Sequence, residues 1–259
     1  MARLRDDPGL WLLLHLRPFG DRRRDLHGRC AVCGAAGRQV MNGWVLSPGV
    51  RVRYGDALAA RESLFCERCG CSLRVRRIAE TLVRLYGEAA TTLAALVRED
   101  AFRELRVAEI NSVGRMHAVL AELPGLVHVE YPEEDIQALS WDDASFDLVL
   151  TSETLEHVPE PRQALRETLR VLRPGGRHVF TVPLDPSLEA TRSRHGLPAE
   201  HHGRGGGPFA LVTRKADMLV HTDFGRDLPE VVRAAGFEVE TDGEGLGLVV
   251  VATRPGASG

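Results

Sequence analysis

Five cysteines, all between residues 30 and 71, are spaced for metal chemistry. They read Cys30-x-x-Cys33, then Cys66-x-x-Cys69 after a gap of 32 residues, with Cys71 two positions further on. Two CxxC pairs bring four thiolates together from two tight knuckles, the donor set of tetrahedral zinc. Gly34 and Gly70 directly follow the second cysteine of each pair, where a turn gains from having no Cβ. A closed four-sulfur site has no open position, so the expected zinc is structural. Disulfides are disfavoured by the odd count and the lack of a secretion signal, and redox CxxC chemistry by the lack of a thioredoxin-like βαβ context. Cys71 is either spare or the replacement for Cys69 as fourth ligand.

The second chemical feature is Glu156-His157. A histidine titrates near neutrality and suits removal of a proton from an alcohol or ammonium group. His157 is the first candidate base, with a capping or purely structural histidine as the alternative. His201 and His202 lie in an irregular insert, Asp185 to Phe209, beside Arg192, Arg194 and Arg204. Those arginines either grip a carboxylate or phosphate or are simply solvated. Gly203 to Gly207 has no Lys-Ser/Thr ending and so is no phosphate loop; a lid is the better reading.

The elements that must hold these groups are legible from Phe146 to Pro183. Phe146 to Leu150 is a short apolar run suited to a buried parallel strand. Pro159 and Pro161 fit a first helical turn, and Leu165, Leu169 and Leu172 recur at helical spacing. Arg162, Arg166, Glu167 and Arg170 are left for a wet face. Pro174-Gly175-Gly176 is expected to stop the helix, and His178 to Val182 reads as the next strand. A helix from Phe224 to Ala235 and a hairpin of Phe237 to Thr241 with Leu246 to Thr253 complete the pattern. The whole is α/β, a doubly wound Rossmann-like sheet.

The order Phe146-Asp147-Leu148-Val149, Leu155-Glu156-His157-Val158 and Arg170-Val171-Leu172-Arg173-Pro174-Gly175-Gly176 resembles the class I S-adenosylmethionine-dependent methyltransferases, in their type 11 small-molecule group. The likeness runs from about Leu105 to Arg254. It implies a methyltransferase sheet, S-adenosylmethionine as cofactor and a small-molecule acceptor such as a sugar, glycoside or other secondary metabolite. Some enzymes of that group carry an N-terminal four-cysteine module, in which a Cys-x-x-Cys-Gly knuckle precedes an Arg-rich helix; here that helix would be Ser72 to Arg77, continuing to about Glu99. Their Tyr-His-Gly-Asp-Pro-like stretch corresponds to His201-His202-Gly203-Arg204, which makes His202 a second candidate catalytic residue.

The family's cofactor turn is an acid followed by Gly-x-Gly-x-Gly. Its counterpart here is Glu109-Ile110-Asn111-Ser112-Val113-Gly114, with one glycine left. The resemblance assigns Glu109, Asn111 and Gly114 to the cofactor's methionine end, Glu130 to the ribose diol, Asp135 and Ile136 to the adenine, and Ser152 and Glu153 to the strand end facing the methyl group. Leu126 to Asp135 is too short for a full family step, so a strand or connection on the adenine side must be abbreviated.

Composition frames the rest. The 259 residues are 44% hydrophobic and 27% charged, ordinary for a soluble enzyme. Residues 1–77 hold 15 Arg against 7 acids, while the net charge is −3. Zinc-bound thiolates would offset part of that local excess, and nucleic acid is not an expected partner. Leu10 to Leu16 is too short to span a membrane, and a packed helix or strand is expected there. Expected boundaries are a zinc module at 1–77, a connecting helix at 78–104, the catalytic domain at 105–254 and a disordered tail at 255–259. A cytoplasmic location is expected, and a homodimer that covers the shortened sheet edge.

Overall fold

The computed structural model describes residues 28–37, 39–41, 61, 64–197, 219–243 and 247–256. The expected segments at Leu10 to Leu16 and Gly203 to Gly207 lie outside them, as do His201, His202 and Arg204.

The cysteine region is two short antiparallel pairs, β1 (Gly28–Arg29) with β2 (Ala36–Gly37), and β3 (Gln39–Met41) with β4 (Leu64–Cys66). Helix α1 (Leu73–Tyr86) follows, its Ser72 side chain capping the Val75 N–H. The helix stops at Tyr86 rather than near Glu99. A Cβ on Gly87 would meet the Val83 carbonyl at 2.7 Å, and the Glu99 carboxylate accepts the N–H groups of Glu88, Ala89 and Ala90. Those groups are therefore satisfied without a helix. Two single turns, α2 (Leu93–Leu96) and α3 (Asp100–Arg103), occupy the remainder.

A six-stranded sheet forms the centre. β5 (Val107–Ile110), β6 (Leu126–Val129), β7 (Phe146–Ser152) and β8 (Leu172–Thr181) run parallel in the order β6-β5-β7-β8. Between β8 and the chain end come the short pair β9 (Arg192–Ser193) and β10 (Thr222–Asp223), then the hairpin β11 (Glu238–Asp242) and β12 (Val249–Thr253). β12 joins β8 antiparallel and puts β11 at one edge. β6 is the other edge, and among the described residues no strand lies beyond it. The abbreviation expected of a strand or a connection here takes the form of a sheet that ends at β6, with a turn-rich connection in place of a further strand.

Alternation along each strand divides the core in two. Val107, Leu148, Leu150, Val179, Val249 and Val251 face one cluster with α1 and α2. Ala108, Val149, Phe180, Val250 and Ala252 face another, covered by α5 (Pro161–Val171) and α6 (Leu228–Arg233); a short helix, α4 (His117–Leu120), lies on the first side. Helices on both faces of a mostly parallel sheet make a doubly wound Rossmann-like fold. Cys30, Val32, Cys66 and Cys71 sit in the first cluster with Val75, Ile78 and Val107, so the cysteine knuckles share a core with the sheet.

Two local expectations are corrected. α5 ends at Val171, because Arg173 precedes proline and is biased towards extended backbone. Pro174-Gly175-Gly176 instead lies inside β8, where the pairing jumps from Phe146–Leu172 to Leu148–Arg177. Glu167 and Arg170 are not a wet face. Glu167 accepts the Leu139 N–H at 3.0 Å, and Arg170 donates to the carbonyls of Leu139 and Trp141 at 2.9 and 2.7 Å. Together they fasten the turn-rich connection standing where a further strand would be, and Ile136 and Leu139 anchor it in the second core.

Candidate functional site

The two cysteine knuckles are copies of one geometry. In the first, Gly34 N–H donates to the Cys30 carbonyl at 2.8 Å and Cys30 N–H to the Ala35 carbonyl at 3.0 Å. In the second, Gly70 donates to Cys66 at 2.8 Å and Cys66 to Cys71 at 3.0 Å. Gly34 and Gly70 have φ of +73° and +71°, left-handed backbone that disfavours any side chain. The Sγ atoms of Cys30 and Cys69, and of Cys33 and Cys66, are 3.7 Å apart. That is far longer than a disulfide of about 2.05 Å. It matches the tetrahedral edge of about 3.8 Å set by Zn–S bonds of about 2.3 Å. Hydrogen bonds from Cys30 and Cys69 drive the Cys66 thiol well below its usual range, and the Cys30 thiol rises as its proton is held. Cys71 stays out of the cluster, buried in the core. The first knuckle also anchors α2, whose Leu93 and Ala94 N–H groups donate to the Ala31 and Val32 carbonyls at 2.7 and 3.0 Å.

The turn after β5 closes by other means. Asn111 takes φ +53° and Gly114 +69°. Glu109, fully buried, accepts the Val113 N–H at 2.8 Å through Oε1, and its Oε2 lies 2.7 Å from His117 Nδ1. Asn111 N–H donates to the Val129 carbonyl, and its Oδ1 accepts the Tyr131 N–H at 3.0 Å, joining the ends of β5 and β6. Glu130 therefore stands at the carboxyl end of β6, beside Tyr131, an aromatic 65% exposed. Asp135 accepts the backbone and side-chain N–H groups of Gln137, while Ile136 is core.

At the end of β7, Ser152 Oγ lies 3.0 Å from Thr181 Oγ1 and accepts a hydrogen bond from Arg74. Glu153, at φ +53°, has both carboxylate oxygens on the buried Arg61, at 2.6 and 3.2 Å, and Arg61 also donates to the Val182 carbonyl at 3.3 Å. Arg61 and Arg74 are the site residues missed by sequence reasoning. Arg74 belongs to the Arg-rich run already noted, but nothing local marks Arg61.

The short 3₁₀ turn Leu155–His157 follows. His157 Nδ1 lies 2.9 Å from the Leu219 carbonyl, so Nδ1 carries a proton and donates. Its Nε2 lies 3.5 Å from Glu156 Oε1. Burial, and then the nearby charge of Glu153, raise the Glu156 carboxyl well above the usual range. His157 thus faces a buried acid rather than open solvent. Arg192 and Arg194 both turn to the buried Asp223, Arg194 at 2.9 and 3.0 Å, and this internal partner is what they grip.

Asn111, Glu130, Ser152 and Glu153 thus line up at the carboxyl ends of adjacent parallel strands, where ligands of such sheets bind. Residues 87–180 match the family model of a methyltransferase domain. The matched stretch opens just after α1 and ends in β8, so it contains this row. Among curated proteins, the demethylmenaquinone methyltransferase of Clavibacter sepedonicus is 36% identical over 118 residues, 46% of this chain and 47% of its own. The 27-O-demethylrifamycin SV methyltransferase of Amycolatopsis mediterranei is 40% identical over 81 residues, 30% of this chain and 29% of its own. The chain therefore spans less than half the length of these relatives. An O-methyltransferase family protein from Burkholderia thailandensis aligns structurally over 71% of this chain and 60% of its own, at 16% identity and a TM-score of 0.41. No helix among the described residues is long and apolar enough to cross a membrane.

Proposed function

We propose that this chain transfers a methyl group from S-adenosylmethionine to a small-molecule acceptor, of the class of sugars, glycosides and other secondary metabolites. The observation that carries the reading is the methyltransferase match over residues 87–180, which falls on the strands whose ends hold Asn111, Glu130, Ser152 and Glu153. Relatives named for a quinone and for a rifamycin support a small acceptor.

Bound S-adenosylmethionine supplies an electrophilic methyl group. The chain supplies position and proton management. Glu130 would accept the ribose hydroxyls, and the connection at Asp135 would border the adenine. The turn from Glu109 to Gly114 would receive the methionine end. Arg61 and Arg74 hold Glu153 and Ser152 in place around it. The proton released by the acceptor would pass to the Glu156–His157 couple, with His202 as a second candidate. Zinc on Cys30, Cys33, Cys66 and Cys69 would be structural.

Calorimetric titration of the zinc-replete protein with S-adenosylmethionine and S-adenosylhomocysteine tests this. Micromolar binding, weakened at least about tenfold by Glu130→Ala, is expected, as the loss of charge-assisted hydrogen bonds to a diol requires. Absence of binding by folded protein would reassign the chain as a repurposed scaffold, a reading favoured by the sheet ending at β6 among the described residues and by His157 facing Glu156. With an acceptor identified, His157→Gln should lower kcat on the order of 100-fold while leaving cofactor affinity unchanged.

A further inference from the structure

Beside the turn after β5, and separate from the cysteines, three side chains converge; Glu109 belongs to the turn proposed to receive the cofactor, while His117 and His128 have no role in the proposed methyl transfer. The parallel register of β5 and β6 pairs Glu109 with His128, which puts both on one face. His117, at the start of α4, lies over them. Glu109 Oε2 is 2.7 Å from His117 Nδ1, the two imidazole rings lie 4.4 Å apart between centroids, and one donor atom from each of the three residues falls within 4.8 Å of the others. Glu130, two residues along β6 and on the same face, has its Oε1 4.0 Å from His128 Nε2.

From this geometry we infer that Glu109, His117 and His128 form a second metal site, for a divalent first-row transition ion. The donor chemistry fits: two neutral imidazoles and one carboxylate suit zinc, cobalt or ferrous iron, and discriminate against calcium and magnesium, which take oxygen. Glu109 divides its oxygens. Oε1 is fixed by the Val113 N–H, which orients the carboxylate and leaves Oε2 for the ion, the outer hydrogen bond that ligating carboxylates carry. Bonds of about 2.1 Å place ligand atoms roughly 3 to 3.5 Å apart. Glu109 Oε2 and His117 Nδ1, at 2.7 Å, would part slightly to admit the ion, and the remaining adjustment falls on the two histidine side chains, which are 36% and 29% exposed. Exposure there also gives the ion a route in from solvent. Three protein ligands leave coordination positions for water. An ion so placed would lock the ends of β5 and β6 together.

The test uses protein whose cysteine cluster already holds one zinc per chain. Cobalt(II) is then titrated, followed by visible absorption and calorimetry. A second equivalent is expected to bind with weak d–d bands and without the sulfur-to-cobalt charge-transfer bands of thiolate ligands. His128→Gln and His117→Gln should each weaken it at least about tenfold while the first metal is retained. His128→Gln lies on an exposed edge position and leaves the fold intact. Two results would overturn the site: no uptake beyond the cysteine cluster at micromolar cobalt, or unchanged uptake in both folded variants, which would show adventitious surface binding only. The readout involves no S-adenosylmethionine, so it stands or falls apart from the methyltransferase reading.

Discussion

The cysteine knuckles and the turn after β5 solve the same problem with opposite means. Each reverses the backbone tightly beside a buried residue that accepts one of the turn's hydrogen bonds. The knuckles do so through glycine at a left-handed φ, which leaves Cys30 facing Cys69 and Cys33 facing Cys66 at 3.7 Å between sulfurs. After β5 the first left-handed position belongs to Asn111, and a buried carboxylate, Glu109, closes the turn by taking the Val113 N–H. Asparagine tolerates that backbone better than most side chains and adds a hydrogen bond to Tyr131 that glycine cannot make. A glycine motif is therefore one way to build such a turn. Its erosion in the sequence is compensated by neighbours.

The comparison breaks first at the closing groups. Chelation of zinc, Cys30→Ser or Cys66→Ser should each cost at least about 4 kcal/mol, because the thiolates share the first core cluster and the metal's binding energy is folding energy. Thermal unfolding followed by circular dichroism should give equal losses for the two cysteines, as the matching knuckles require.

An acid titration must allow for a group in neither region. His178 is buried on β8 with Nε2 3.0 Å from Thr151 Oγ1, and burial pushes its pKa down to about 3. Its folded pKa lies below its unfolded value, so its contribution is fully present above about pH 6.5 and is lost as pH falls towards 3. The wild type should lose on the order of a few kcal/mol over that window, and His178→Gln should flatten the slope. An unchanged slope would place the acid sensitivity elsewhere.

Glu109→Ala should cost about 1–3 kcal/mol by stranding the Val113 N–H, less than any cysteine ligand. A loss as large as the cysteines' would mean the two turns are equally metal-dependent. The smallest effects are backbone ones. Gly34→Ala and Gly70→Ala should each cost about 1 kcal/mol or slightly more, whereas Asn111→Gly should stay within about 1 kcal/mol, losing one hydrogen bond and relieving φ. Denaturant melts separate these outcomes.

What the sequence disclosed follows the same division. Cys30, Cys33, Cys66 and Cys69 announce themselves by local spacing, and the glycine after each pair by turn chemistry. β7 and β12 are legible because short apolar runs bounded by turn residues admit few alternatives. The shortened adenine side was countable from Leu126 to Asp135. Arg61, by contrast, meets Glu153 across 92 residues and Val182 across 121, and no local pattern encodes such a contact. The end of α5 at Val171 was obscured because Pro174-Gly175-Gly176 serves as a strand irregularity as well as it would a helix stop. His157 had the right type and place, but its orientation towards Glu156 and Leu219 depends on chain that returns 62 residues later.

Arg61 carries a practical consequence for dissecting the molecule. The residue is 2% exposed, and its guanidinium ties the cysteine region to the strand ends of the sheet. A fragment beginning at residue 78 would lose that tether and Arg74, and would bare the apolar face that Cys30, Val32 and Val75 now cover. Such a fragment is expected to self-associate through the uncovered patch. Any autonomous unit cut from this chain therefore has to include both regions.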